Sequence, residues 1–160
     1  MGSAVRFHDV VVGTELPGLS MTFTREDLVA YAHASGDMNP IHHDEAFARE
    51  VGLPDVIAHG MLTMGRAIKL VTDWVGERGW LRSMEATFRR PAMHGDHLRV
   101  IGLVTDTEHG DAGHGVVKLD VYLENERGER PVQAVAVVGR PDPEWGESVV
   151  AFVVATGGAS

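Results

Sequence analysis

Asp37 and His42 lie five positions apart in Gly36-Asp37-Met38-Asn39-Pro40-Ile41-His42-His43-Asp44, on either side of a proline turn. Pro40 fixes its own φ and drives Asn39 toward extended backbone, so the turn is stiff and both side chains can aim at one point. A carboxylate and an imidazole so placed form a general acid/base pair for a small-molecule proton. The same residues also describe an Asx turn followed by a surface histidine, and residue types alone leave both readings open. A second segment, Ile57-Ala58-His59-Gly60-Met61, runs straight into an apolar stretch. Gly60 lets a ligand or another backbone come close. The free N–H groups of a helix N-terminus suit a carbonyl oxygen that gains negative charge, as in an oxyanion hole. Tight packing at the helix start accounts for Gly60 equally well.

These segments need elements to hold them. Val10-Val11-Val12 followed by Gly13 and Pro17-Gly18 reads as a strand and turn, and Met21-Thr22-Phe23 as a short strand. Thr24 with Asp27 three residues on makes an N-cap with a weak capping box. The helix it starts turns Leu28, Tyr31, Ala32 and Ser35 inward and stops at Gly36. Asp44 is the N-cap candidate for a shorter helix through Phe47 and Val51 to Gly52. Residues 61–75 are apolar around most of the helix circumference, which predicts a helix buried nearly all round. Beyond it the period falls to two, with strands expected near residues 84–88, 97–107, 117–124 and 133–139. The segments 109–115 and 126–129 have hairpin-turn composition. A helical first half, one buried helix and an antiparallel meander wrapped around it make an α+β architecture.

Composition narrows the chemistry. The chain has 160 residues, enough for one domain, and no cysteine, which excludes disulfides, thiolate metal sites and thiol nucleophiles. A net charge of −9 makes phosphate-driven nucleic-acid binding unexpected. The N-terminus lacks a basic region followed by an apolar stretch, and no apolar run approaches the ~18 residues of a membrane span. A soluble, cytoplasmic domain with neither a nucleic-acid nor a membrane partner is expected.

Taken together, Tyr31 with Ser35-Gly36-Asp37-Met38-Asn39-Pro40-Ile41-His42-His43-Asp44 and Ile57-Ala58-His59-Gly60-Met61-Leu62 resemble the MaoC-like hotdog proteins. These are the (R)-specific enoyl-CoA hydratases and (3R)-hydroxyacyl-ACP dehydratases, and the likeness spans about residues 7–140. In overall look the chain is most similar to dehydratase subunits of mycobacterial fatty-acid elongation. The resemblance implies a single hotdog fold, a curved antiparallel sheet around a central helix. It implies a hydro-lyase acting reversibly between trans-2-enoyl and (3R)-3-hydroxyacyl thioesters of CoA or ACP. Asp37 and His42 would be the catalytic pair sharing one water, and the Gly60 N–H the oxyanion donor. Asn39 and His59 would support them. The Ser/Thr position of the family's helix falls at Thr63 or Gly65, the register being open. No cofactor or metal is implied. The partners are the acyl-CoA or acyl-ACP substrate and a second subunit, as a homodimer or alternatively a heterodimer.

Three rivals stand against this reading. A metal site would draw on His42, His43, His59 and Asp44, but neighbours in an extended loop point opposite ways and no helical ligand spacing accompanies them. A hotdog acyl-thioesterase would carry a carboxylate early in the central helix, and residues 61–71 contain none. A non-catalytic acyl-binding subunit of a heterodimer would lack the Asp/His pair. Trp74, Trp80, Met61 and Met64 read as core or acyl-tunnel wall, and Arg89-Arg90 as a solvated strand end or a contact to carrier phosphate. The hotdog domain is assigned to residues 1–140. Residues 141–160, with the uncharged apolar run 149–155, are expected as an ordered extension, either an added edge strand or a cover at a subunit contact.

Overall fold

A computed structural model describes residues 6–77, 79–109 and 114–141. Five strands form one antiparallel sheet: β1 (Leu19–Thr22), β2 (Trp80–Phe88), β3 (His97–His109), β4 (His114–Asn125) and β5 (Val132–Pro141), in the order β1-β3-β4-β5-β2. The helices are α1 (Arg25–Ser35), α2 (Glu45–Glu50) and α3 (Gly60–Val75). The expected α+β class and the sheet wrapped on one helix are what the chain adopts.

The period-two alternation sets which side of the sheet faces inward. Leu98, Val100 and Val104 of β3, Val117, Leu119, Val121 and Leu123 of β4, and Val132, Ala134, Ala136 and Val138 of β5 are buried. Against them α3 sets Thr63, Met64, Ala67, Leu70, Val71 and Val75, a stripe at three- and four-residue spacing. Here the expectation of an all-round buried helix is corrected. The sheet covers one side of α3, and Met61 stays 51% exposed on the other, along with Gly65, Lys69 and Asp73.

The 10–12 run is a second correction. Val11 and Val12 are exposed, and the strand expected there is a turn closed by Thr14 N–H donating to the Val11 carbonyl. The chain before it forms a short 3-10 turn, Phe7–Asp9. Only Val10 of the run packs against the core, while Val11 and Val12 face solvent, so hydrophobicity alone does not make it a strand. Most of the tail expected as an ordered extension, residues 142–160, lies outside the described residues, as do residues 110–113 of the first hairpin turn.

Close packing at β2 yields a test. Trp80 pairs with Gly139, where an added Cβ would run into the indole ring. Gly139→Ala is therefore expected to destabilise the fold by about 1–3 kcal/mol through overpacking. Denaturant unfolding checks it; an unchanged midpoint would mean that the ring moves aside freely.

Candidate active site

The site is built by three chain segments that meet at the start of α3. The first is the loop after α1. Thr24 and Asp27 complete a reciprocal capping box at the start of that helix, stronger than the weak version expected. Gly36 ends it in the left-handed region, at φ 77°, where a side chain would be strained. Asp37 follows at once. The Asn39 N–H donates to its carboxylate at 3.3 Å, while the Asn39 side chain accepts from the Ile41 N–H. Asn39 therefore orients Asp37 through its backbone and shapes the turn with its side chain. Pro40 opens a 3-10 turn, Pro40–His42, that carries the histidine inward, and Asp44 caps α2 by accepting from the Phe47 N–H.

The second segment leads into α3. The Ile57 N–H donates to the Ile41 carbonyl, the Ala58 N–H to that of Ala92 and the His94 N–H to that of Val56. The strand-like pairing of Ile57 with Met93 brings in the third segment, the chain after β2. Arg25 adds an outer tie. Its guanidinium donates to Asp55 and Glu45, both at 2.9 Å, joining the start of α1 to α2 and to the loop before α3.

Between these segments His42 is 7% exposed and its Nδ1–H donates to the Ile57 carbonyl at 2.8 Å. A carbonyl only accepts, so the proton sits on Nδ1 and Nε2 keeps a free lone pair. That Nε2 lies 3.9 Å from Asp37 Oδ2. The gap is too long for a direct hydrogen bond and short enough for one water to donate to both acceptors. Burial pushes the His42 imidazole below its ordinary value; the neighbouring His59 and His43 push it the same way, while the Ile57 carbonyl and Asp37 oppose. A base that stays unprotonated near neutrality results.

The His42 ring borders a cavity of about 330 Å³ that also touches Gly60, Thr63, Phe88, Arg89 and Arg90. The first amides of α3 have no carbonyl acceptor within the helix, and Gly60, the residue that opens it, lines the cavity. A Cβ at Gly60 would meet the Phe88 ring at 3.3 Å, so glycine lets that ring sit close over the start of α3. Thr63 lines the cavity and is buried, its hydroxyl donating to the Gly60 carbonyl, whereas Gly65 faces outward. The helix register thus picks Thr63 of the two positions left open by the sequence. Asp37 and Asn39 are exposed, and Arg89 and Arg90 line the cavity.

Of the groups weighed for a metal, His42 and His59 are brought together, whereas His43 and Asp44 are not. His43 turns its Nε2–H to the Met38 carbonyl and Asp44 is occupied as a cap. Asp37, His42 and His59 do offer donor atoms within 4.8 Å of one another. Yet the two imidazoles are stacked, centroids 3.6 Å apart and planes 22° from parallel. Ring lone pairs lie in the ring plane, so stacked rings point them side by side and not at one ion. His59 itself is what the sequence undervalued; only its place ahead of a helix glycine marked it.

The model of the MaoC like domain matches residues 4–125, and that of the AMP-binding enzyme C-terminal domain matches residues 128–160. The chain is 36% identical over 96 residues to a 3-hydroxybutyryl-CoA dehydratase of Methylorubrum extorquens, covering 59% of this chain and 60% of that protein. It is 31% identical over 114 residues to the fatty acid synthase beta subunit hexB of Dothistroma septosporum, covering 69% of this chain but only 6% of that far longer protein. Among solved structures, the (R)-hydratase from A. caviae involved in PHA biosynthesis superposes with a TM-score of 0.73 at 27% identity, over 84% of this chain and 98% of that one. The ChsH1-ChsH2 complex from Mycobacterium tuberculosis gives 0.72 at 26% identity, over 81% of this chain and 98% of the matched one.

Proposed function

Since the chain belongs to the MaoC-like domain family, we propose that it adds water across trans-2-enoyl thioesters and removes it from (3R)-3-hydroxyacyl thioesters. The observation that carries this reading is the pair of acceptors, His42 Nε2 and Asp37 Oδ2, held 3.9 Å apart beside a cavity lined by the first residue of α3. Water sits between them, donating a hydrogen bond to each. His42 removes one proton as the water oxygen bonds C3 of the substrate. The π electrons move toward C2 and the thioester carbonyl, whose oxygen takes a hydrogen bond from the Gly60 N–H. The protonated His42 then gives that proton to C2, so the pair ends each turnover as it began, with Asp37 holding the O–H that stays on the product. The relatives' names, dehydratases of hydroxyacyl thioesters, support this chemistry. Thr63 supports the Gly60 turn, and Arg89 and Arg90 offer cations to carrier phosphates at the cavity wall.

The thioesterase alternative lacks its tool. Among the described residues no aspartate or glutamate lines the cavity, and α3 has no acidic residue in its first turn. The non-catalytic alternative leaves the Asp37–His42 arrangement unexplained. Incubation with a trans-2-enoyl-CoA tests all three: loss of the conjugated absorbance without free thiol supports hydration. Thiol release would make the protein a thioesterase, and binding without either change would make it an acyl-binding subunit.

We assign the active form to a dimer of identical chains. Asp37 is 56% exposed at its side chain, and Met38 beside it, Met61 after Gly60 and Phe88 at the cavity are exposed apolar groups that a second subunit would cover. Among the described residues no helix is long and apolar enough to cross a membrane. Turnover is expected to be unchanged by EDTA, because the reaction moves only water and a proton. Loss with EDTA and recovery with zinc would replace the acid/base account by a metal one.

A further inference from the structure

His59 is almost wholly enclosed, 2% exposed, yet it caps no helix amide. Its Nε2–H donates to the Asp37 carbonyl at 3.1 Å, across 22 residues of sequence. Its ring stacks on His42 at 3.6 Å and is flanked on another side by Tyr31 of α1, at 4.9 Å between centroids. Its Nδ1 is buried with no hydrogen-bond partner among the described residues. A buried polar atom left bare is costly, so the position is held for something other than packing, since a phenylalanine would fill it without that penalty.

We propose that His59 is the positioning residue of the Asp37–His42 pair, fixing the aspartate by a bond to its backbone and the histidine by ring stacking. The inference rests on the acid/base reading of that pair above. One side chain thereby touches both partners, and it does so from the residue that starts the oxyanion helix. The spacing between Asp37, His42 and the Gly60 amide is thus set by a single rigid ring. Displacement of a reacting group by an ångström costs up to about a hundredfold in rate. A second consequence concerns protonation. A second buried imidazole stacked on His42 opposes a positive charge there, as does His43; Asp37 and the Ile57 carbonyl favour one, and Arg89 and Arg90 share the cavity. Without His59 the His42 ring is expected to titrate at higher pH. Glutamine admits water, and phenylalanine offers the face of its ring to the cation.

The experiment uses the full-length protein and two variants. His59→Gln keeps a donor and loses the ring; His59→Phe keeps the ring and loses the donor. Both are expected to lower kcat about ten- to a hundredfold with little change in KM. The acid limb of the kcat/KM profile and the His42 titration followed by ¹⁵N NMR should both move to higher pH. In the unaltered protein, long-range ¹H–¹⁵N spectra should show His59 protonated on Nε2 and His42 on Nδ1, a readout that needs no variant to fold. A proton on His59 Nδ1, or folded variants with unchanged kcat and unchanged His42 titration, would overturn the proposal. A wild-type protein inactive on enoyl thioesters whose His42 titration still shifts in His59→Gln would instead sink the reaction and leave the positioning role standing.

Discussion

Asp37→Asn is expected to lower enoyl-thioester hydration by about 10²- to 10⁴-fold while leaving the melting temperature unchanged. The side chain is more than half exposed, and its hydrogen bond within the chain, from the Asn39 N–H, can be met equally by an amide oxygen. Stability therefore has little to lose. What changes is the second acceptor for the attacking water, since the asparagine amide either donates where a lone pair is needed or accepts far more weakly. Steady-state rates on a short trans-2-enoyl-CoA, with thermal unfolding in parallel, measure both halves. Full turnover in a folded variant would remove Asp37 from the chemistry.

His42→Ala should cost both activity and stability. The sequence places His42 in a loop, which predicts that it can be exchanged without harm to folding. The structure corrects this. The ring is buried, bonded to the Ile57 carbonyl and stacked on His59, so its removal leaves a buried acceptor unsatisfied and a hole beside it. A loss of about 1–3 kcal/mol is expected, read as a melting temperature several degrees lower. Hydration should fall at least about a hundredfold. The pH dependence of stability checks the origin. Burial keeps the folded His42 below the ordinary imidazole value of 6.5, so the unfolded chain takes up a proton first. This contribution is full above that value and is lost as pH falls through the lowered folded one. His42→Ala should lack that acid-side component; an identical pH profile for both proteins would mean the ring is not held as described.

The legible part of this site was the part written in adjacent residues. Gly36 stops a helix, Pro40 stiffens a turn and Asp44 starts the next helix, and each acts within a few positions of the residue it places. The strands were legible because burial on one face imposes a period of two along each of them. Less was legible where distance in space replaced distance in sequence. The His42–His59 stack depends on Ile57 pairing with both Ile41 and Met93, contacts between segments that share no periodic signal. Thr63 was one of two positions until the register of α3 turned it toward the sheet side. The outward face of α3 escapes the sequence for a related reason, because hydropathy does not say how much of a helix one sheet can cover.

Combining Asp37→Asn with His42→Ala tests most directly whether the two residues act as one unit on one water. Groups that act together lose nearly everything on the first removal, so the double variant should be no slower than the worse single variant beyond about threefold. The measurement is kcat/KM for the same enoyl-CoA with all four proteins at one pH. Losses that multiply, with the double variant falling by the product of the two single effects, would show Asp37 and His42 working independently and contradict the shared-water account.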